Sequence, residues 1–262
     1  MSYKQDLDKM VWSFSRIHLW EQCPYAFYLQ YIEGVKGIDN FWAENGKAVH
    51  LTLEKFFKDE LTLEEMPHFY IERFDNICNY ASQNSMTNTF NVCIDFLCEF
   101  DFSFFDDYEI LGVEKECRFT IGKYPFRGII DLLLRNKHTN EIIVFDHKSS
   151  PYPFKKDGKS VLKNCQENFE SYKHQMYLYC KQVIEEYGEE PEQITWLHFK
   201  DSKLATIPFN RDEYNETLKW VENTIKKIYR DKRFLPNQSF MMCGRLCDFR
   251  EGDCDYKDMK EE

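Results

Sequence analysis

The sequence predicts an α/β fold, and three patterns carry that prediction. Apolar residues recur at helical spacing from Trp12 to Ile32 and from Phe41 to Glu60. From Glu109 the period changes to two, and from Gln166 to Tyr187 it returns to that of a long helix. Helices that alternate with strands in this way point to a sheet layered with helices. The chain has 262 residues, 43% hydrophobic and 17% aromatic, enough for a full core, and one domain over 1–262 is expected.

Other bounds follow from composition. No apolar run reaches the length of a membrane span, and Met1-Ser2-Tyr3-Lys4 lacks the apolar stretch of a signal peptide, so a cytoplasmic protein with no membrane partner is expected. Ten cysteines in that setting read as thiols or metal ligands before disulfides. A net charge of −11 argues against a general polyanion binder but leaves room for a local basic lining.

In order along the chain, the 12–32 helix has Ser13 or Ser15 as its cap, and Pro24 kinks it or starts a second helix. Cys23 precedes that proline and by itself reads as a small core residue. The 41–60 helix carries Val49, Leu53, Phe56 and Phe57 on its apolar side, with Gly46 one turn before His50. His50 reads either as a core histidine or as a ligand, and Gly46 either packs or leaves room for something close. Residues 66–107 are aromatic-rich, form two or three helices and read as a helical insertion that caps or braces the sheet; Cys78, Cys93 and Cys98 fit core packing there. In the first strand Leu111, Val113, Cys117, Phe119 and Ile121 share one face, with Glu114 and Glu116 on the other.

Gly122-Lys123 turns the chain into a strand from Pro125 to Arg135, and turn formers at 136–140 join it to a second apolar run. Acids interrupt this hairpin at Asp131 and Asp146. Lys148 shares the face of Asp146, Ile142 and Val144. Charge on an apolar face is costly unless paired or bound to metal, which leaves a buried ion pair and a metal site as the two readings. Lys155, Lys156, Lys159 and Lys163 follow in a loop that suits an anionic polymer or is simply solvated. On the next helix Tyr172, Gln175 and Tyr179 fall on one face. Strands at 194–200 and 204–209 precede a helix capped by Asn210, with Glu213 in the capping-box position, that runs to about Phe234. In the tail, 235–262, Cys243, Cys247 and Cys254 are separated by three and six residues, a metal-binding pattern one ligand short of four. Cys23 is the candidate fourth, and it would pack the tail onto the 12–32 helix.

Taken in this order, the residues resemble the RecB-like exonuclease branch of the PD-(D/E)xK nuclease superfamily, in particular its four-cysteine iron–sulfur members. The quoted motifs are Ser15-Arg16 through Cys23-Pro24-Tyr25, His50, Gly128 to Asp131, Asp146-His147-Lys148, Gln175 to Tyr179, and the late cysteines. Those cysteines are spaced more widely than the two and five residues common in the family. The resemblance implies a restriction-endonuclease-like mixed central sheet flanked by helices, with N- and C-terminal segments joined by a metal cluster. By the same resemblance Asp131, Asp146, Lys148, Gln175 and Tyr179 are catalytic. His50, Asp131, Asp146 and the backbone carbonyl of His147 hold Mg²⁺ or Mn²⁺, and Glu114 or Glu116 supplies a further acid. Cys23, Cys243, Cys247 and Cys254 hold a 4Fe-4S cluster, with zinc as the alternative. The implied activity is metal-dependent hydrolysis of DNA, by an exonuclease acting on single strands or ends. Recombination, repair, phage replication and CRISPR adaptation are the settings, with a helicase, recombinase or adaptation protein as partner. The rival expectation is a non-catalytic DNA-end-binding or complex-assembly subunit of the same fold.

Overall fold

The structure is a computed structural model that describes residues 3–77, 81–238, 243, 246–250, 252 and 254–256. Cys78 lies outside them. The segment around Cys23 forms two helices, α2 (Phe14–Gln22) and α3 (Pro24–Tyr31), after a short α1 (Lys4–Asp8). Proline has no N–H to donate, so Pro24 takes the first turn of α3, with Cys23 in extended conformation as its cap. Ser13 is the cap of α2 and accepts from Arg16 N at 3.3 Å. Next come α4 (Phe41–Phe57), α5 (Met66–Phe74) and α6 (Gln83–Glu99). The first of these stops short of Glu60, where Asp59 turns left-handed at φ 57°.

Strands β1 (Tyr108–Ile121), β2 (Tyr124–Asn136) and β3 (Ile142–Lys148) follow, then α7 (Gln166–Tyr187), β4 (Gln193–His198), β5 (Lys203–Pro208) and α8 (Arg211–Arg230). The turn between β2 and β3 is built by Asn136, whose Oδ1 accepts from His138 N and Thr139 N. Asn210 caps α8 by accepting from Asp212 N and Glu213 N, and the Glu213 carboxylate accepts from Lys173 and Tyr177. This helix ends four residues before Phe234, because the Asp231 carboxylate accepts from Arg233 N and Phe234 N and turns the chain.

The described strands form a five-stranded mixed sheet in the order β1-β2-β3-β4-β5. Strand β3 is antiparallel to β2 and parallel to β4, and β5 is antiparallel to β4. No helix among the described residues is long and apolar enough to cross a membrane.

The chain divides into two compact units: Met1–Asn40, Arg118–Gly128 and Asn215–Glu262 form one, and Phe41–Cys117 with Ile129–Tyr214 form the other. In the second unit α4, α5 and α6 cover one sheet face, where Val49, Leu53, Phe57 and Phe96 pack with Leu134, Ile143 and Phe145. Helix α7 covers the other face, with Phe169 set 5.2 Å from the Trp196 ring on β4. In the first unit Phe249 of the tail is buried with Ala26 and Leu29 of α3, and Ile38 N donates to Asp248 O at 2.8 Å.

Residues of the 66–107 segment pack in the core of their own unit. Phe96 is fully buried among Phe100, Phe102 and Phe199. Phe96→Ala is expected to destabilise the protein by about 3–5 kcal/mol in chemical denaturation, the range for emptying a buried aromatic site. A loss below about 1 kcal/mol, typical of a surface substitution, would contradict this packing.

Candidate active site

The site is assembled where the apolar runs of β2 and β3 end. Leu132 lies opposite Phe145, and the same register carries Asp131 to the level of Asp146. Asp131 Oδ2 accepts from the His147 backbone N–H at 2.8 Å. Asp146 is buried, and its Oδ2 lies 2.7 Å from Lys148 Nζ. That contact is an ion pair without hydrogen-bond alignment, so the oxygen keeps an unused lone pair in the interior.

Helix α7 supplies the second half of the arrangement. Residues three and four apart share a helix face, and Tyr172, Gln175 and Tyr179 all meet β3 through that face. Lys148 Nζ donates to Gln175 Oε1 at 3.0 Å and sits 4.8 Å over the Tyr172 ring. Gln175 Nε2 donates to Tyr179 Oη at 2.9 Å and reaches Asp146 Oδ1 at 3.4 Å. Each end of the amide is thus spoken for, and the lysine head is fixed from two sides.

Burial alone would lower the Lys148 ammonium, but Asp146 and Asp131 outweigh it and hold it raised and charged. Burial pushes the Asp146 carboxyl up, against the lowering pull of Lys148, and Asp131 adds to the rise.

Histidines from two elements close the other side. His50 on α4 places Nδ1 3.4 Å from Asp131 Oδ2, and His147 places its own Nδ1 3.6 Å from the same oxygen. Among the described residues, the ligating side chains whose atoms all fall within 4.8 Å of one another are His50, Asp131 and His147. Strand alternation turns the His147 ring away from Asp146 and Lys148, as the period predicts, but that face is the one α4 covers. The ring is stacked on Phe57 and lies 5.5 Å from the His50 ring. Burial pushes the His147 imidazole down to about 3, with His50 adding to the drop, so it stays neutral, the form that ligates metal. The ring was missed in the sequence because periodicity tells which face a residue takes and not which helix covers that face.

A cleft of ≈ 490 Å³ opens beside these groups, lined among others by Gly46, His50, Glu54, Glu114, Asp131 and Tyr179. A Cβ added at Gly46 would meet only Ser149 Oγ, at 3.9 Å, so protein packing leaves that position room for a side chain. Glu114 and Glu116 separate here: Glu116 is exposed and does not line the cleft, whereas Glu114 does. Glu114 has φ 48°, a left-handed residue inside β1 that re-aims the strand. Burial, followed by Asp131 and Glu54, pushes its carboxyl up to about 7.

In the other unit Cys23, Cys243, Cys247 and Cys254 line one small apolar pocket, with Tyr25 and Phe249 in its wall. None of the four is in a disulfide. Burial raises the Cys247 and Cys254 thiols, and the neighbouring cysteines add to each rise. Tyr25 ties the tail down by donating to Asp255 Oδ2 at 2.8 Å.

The model of the PD-(D/E)XK nuclease superfamily matches residues 11–255. The chain belongs to that superfamily. A solved structure from Eubacterium rectale, of a protein provisionally named an exonuclease, is similar over 99% of this chain and 93% of that one, with TM-score 0.55 and 13% identity. At that identity the likeness is one of fold. No curated protein sequence matches the chain. PD-(D/E)XK proteins are nucleases that use divalent metals, and the mixed sheet with helices on both faces is consistent with that superfamily.

The raised Glu114 carboxyl gives a pH test. Its folded value of about 7 lies above the ordinary 4.5, so its contribution to stability is full below about 4.5 and lost as pH rises through about 7. Urea unfolding of metal-free protein between pH 4.5 and 7.5 is expected to show a fall that Glu114→Gln flattens. An identical pH profile for the two proteins would exclude the shift.

Proposed function

We propose that this chain is a metal-dependent deoxyribonuclease that hydrolyses DNA phosphodiester bonds, working as an exonuclease on single strands or DNA ends. The observation that carries the reading is the convergence of Asp131, Asp146, Lys148 and Gln175 beside an open cleft, in a member of a nuclease superfamily. The naming of the Eubacterium rectale protein supports the exonuclease part.

The donor set fits a hard divalent cation. His50 Nδ1 and His147 Nδ1 lie 3.4 Å and 3.6 Å from Asp131 Oδ2, and His147 is held neutral. We assign Asp131, Asp146, His50 and the carbonyl of His147 to Mg²⁺ or Mn²⁺, with the His147 ring as a further donor. Glu114, and not Glu116, is the additional acid. When bound, the cation supplies Lewis acidity toward the phosphoryl group and water. The chain's own residues do the rest. Lys148 presents a fixed positive charge where negative charge grows on the phosphoryl oxygens. Gln175 and Tyr172 fix that ammonium alongside its ion pair with Asp146, and Asp131 orders the backbone at His147.

Cys23, Cys243, Cys247 and Cys254 are assigned to a 4Fe-4S cluster, with zinc as the alternative. We assign the protein to the cytoplasm, with DNA as partner and a helicase, recombinase or CRISPR-adaptation protein beside it.

Two measurements test these assignments. Labelled single- and double-stranded DNA incubated with Mg²⁺ or Mn²⁺ is expected to be degraded from its ends. Asp146→Asn and Lys148→Met are expected to lower the rate by about 10²–10³-fold or more, the scale of losing one charge-stabilising group. DNA that binds but is cut by none of these proteins would favour the non-catalytic end-binding subunit. Protein purified without air is expected to be brown and to contain iron, and Cys247→Ser to lose the colour. A colourless preparation with stoichiometric zinc would exclude the iron–sulfur assignment.

A further inference from the structure

The loop after Lys148 is a built element. Residues 153–162 form a hairpin in which Leu162 N donates to Pro153 O at 2.7 Å, Lys155 N to Ser160 O at 2.8 Å and Gly158 N to Lys155 O at 2.9 Å. Phe154 and Val161 pair antiparallel. At its tip Asp157 Oδ1 accepts from Lys159 N and Ser160 N, and Gly158 takes φ 67°.

Its base is anchored three times. The His198 ring lies with Nδ1 2.9 Å from Ser150 O, and donates to it. Tyr152 N donates to Asp201 Oδ2 at 2.8 Å. Phe154 is buried, with its ring 5.1 Å from that of Phe169.

The tip carries Lys155, Lys156 and Lys159, all exposed. Elsewhere in the same unit Lys55, Lys58, Lys115, Lys173 and Lys181 each face a carboxylate within 4 Å. The three hairpin lysines face none among the described residues, and the Asp157 carboxylate beside them is taken up by the turn. The hairpin thus presents three exposed cations on a hydrogen-bonded support. A polyanion approaching the acids of the cleft needs such a support, and a preformed one loses little ordering entropy on binding.

The hairpin also leaves β3 directly at Lys148 and returns into α7 six residues before Tyr172, which covers that lysine. We infer that it is a backbone clamp: Lys155, Lys156 and Lys159 hold the phosphates of the DNA strand whose scissile bond lies at Lys148. The inference rests on the proposed nuclease reading and adds where the substrate's flanking phosphates go.

The test is equilibrium binding of the full chain to a 5′-labelled single-stranded oligonucleotide by fluorescence anisotropy, without divalent cations, over a series of NaCl concentrations. Each phosphate contact on a single strand adds about 0.7 to the slope of log K against log salt. The triple variant Lys155→Gln, Lys156→Gln, Lys159→Gln is expected to lose about 2 from that slope and to bind at least about 10-fold more weakly at low salt. Arginine at the same three positions is expected to restore both, which a merely misfolded hairpin would not do. Equal slopes for wild type and the glutamine variant overturn the clamp, as does wild type that binds no DNA. Cleavage by wild type, measured alongside with Mn²⁺, separates the two ideas. Cleavage with equal slopes removes the clamp and keeps the nuclease; a lost slope without cleavage keeps the clamp and removes the nuclease.

Discussion

Everything in the candidate site answers to two carboxylates held at one level of a hydrophobic sheet. Asp131 and Asp146 sit side by side on β2 and β3, and Asp146 is 1% exposed. Like charges in so dry a place repel strongly and lack water to spread their field. Lys148 supplies one compensating charge, the His147 N–H supplies a dipole, and His50 and His147 supply nitrogen donors. One positive side chain for two acids leaves a local deficit of positive charge. A divalent cation is the simplest group that removes it.

The same constraint explains why the lysine is so closely held. Its ammonium lies 2.7 Å from Asp146 Oδ2, and one ion pair on a four-carbon stem does not fix its direction. The amide oxygen of Gln175 accepts a hydrogen bond from it, and the face of the Tyr172 ring lies 4.8 Å from it. Tyr179 and Asp146 in turn fix the amide. Removing a link therefore changes the orientation of Lys148 before it changes its charge.

Much of this was legible in the sequence because it is local. The hairpin, the acids, Lys148 and the 3–4 spacing of Tyr172, Gln175 and Tyr179 depend on strand and helix periods, and those survive into the structure. What was hidden depends on irregularity or on distant packing. The left-handed Glu114 breaks the alternation that made it look equivalent to Glu116. The His147 ring matters only once α4 is known to lie over it. The 153–162 segment read as a loop, although Asp157-Gly158 between Phe154 and Val161 was a turn signal on the page.

The spacing of the site along the chain has an entropic side. Asp131 and Asp146 are 15 residues apart, whereas His50 stands 81 residues before Asp131. For flexible segments of those lengths the closure entropy differs by about 1.5 kcal/mol, from (3/2)RT ln(81/15). The hairpin delivers its acids at small expense, and the imidazole is the member of the set whose approach must be underwritten by other contacts. Helices α5 and α6 provide them, through Met66, Tyr70, Phe96 and Leu97 packed in one core with α4. A helical segment without a single candidate ligand thus governs how firmly His50 is presented to Asp131.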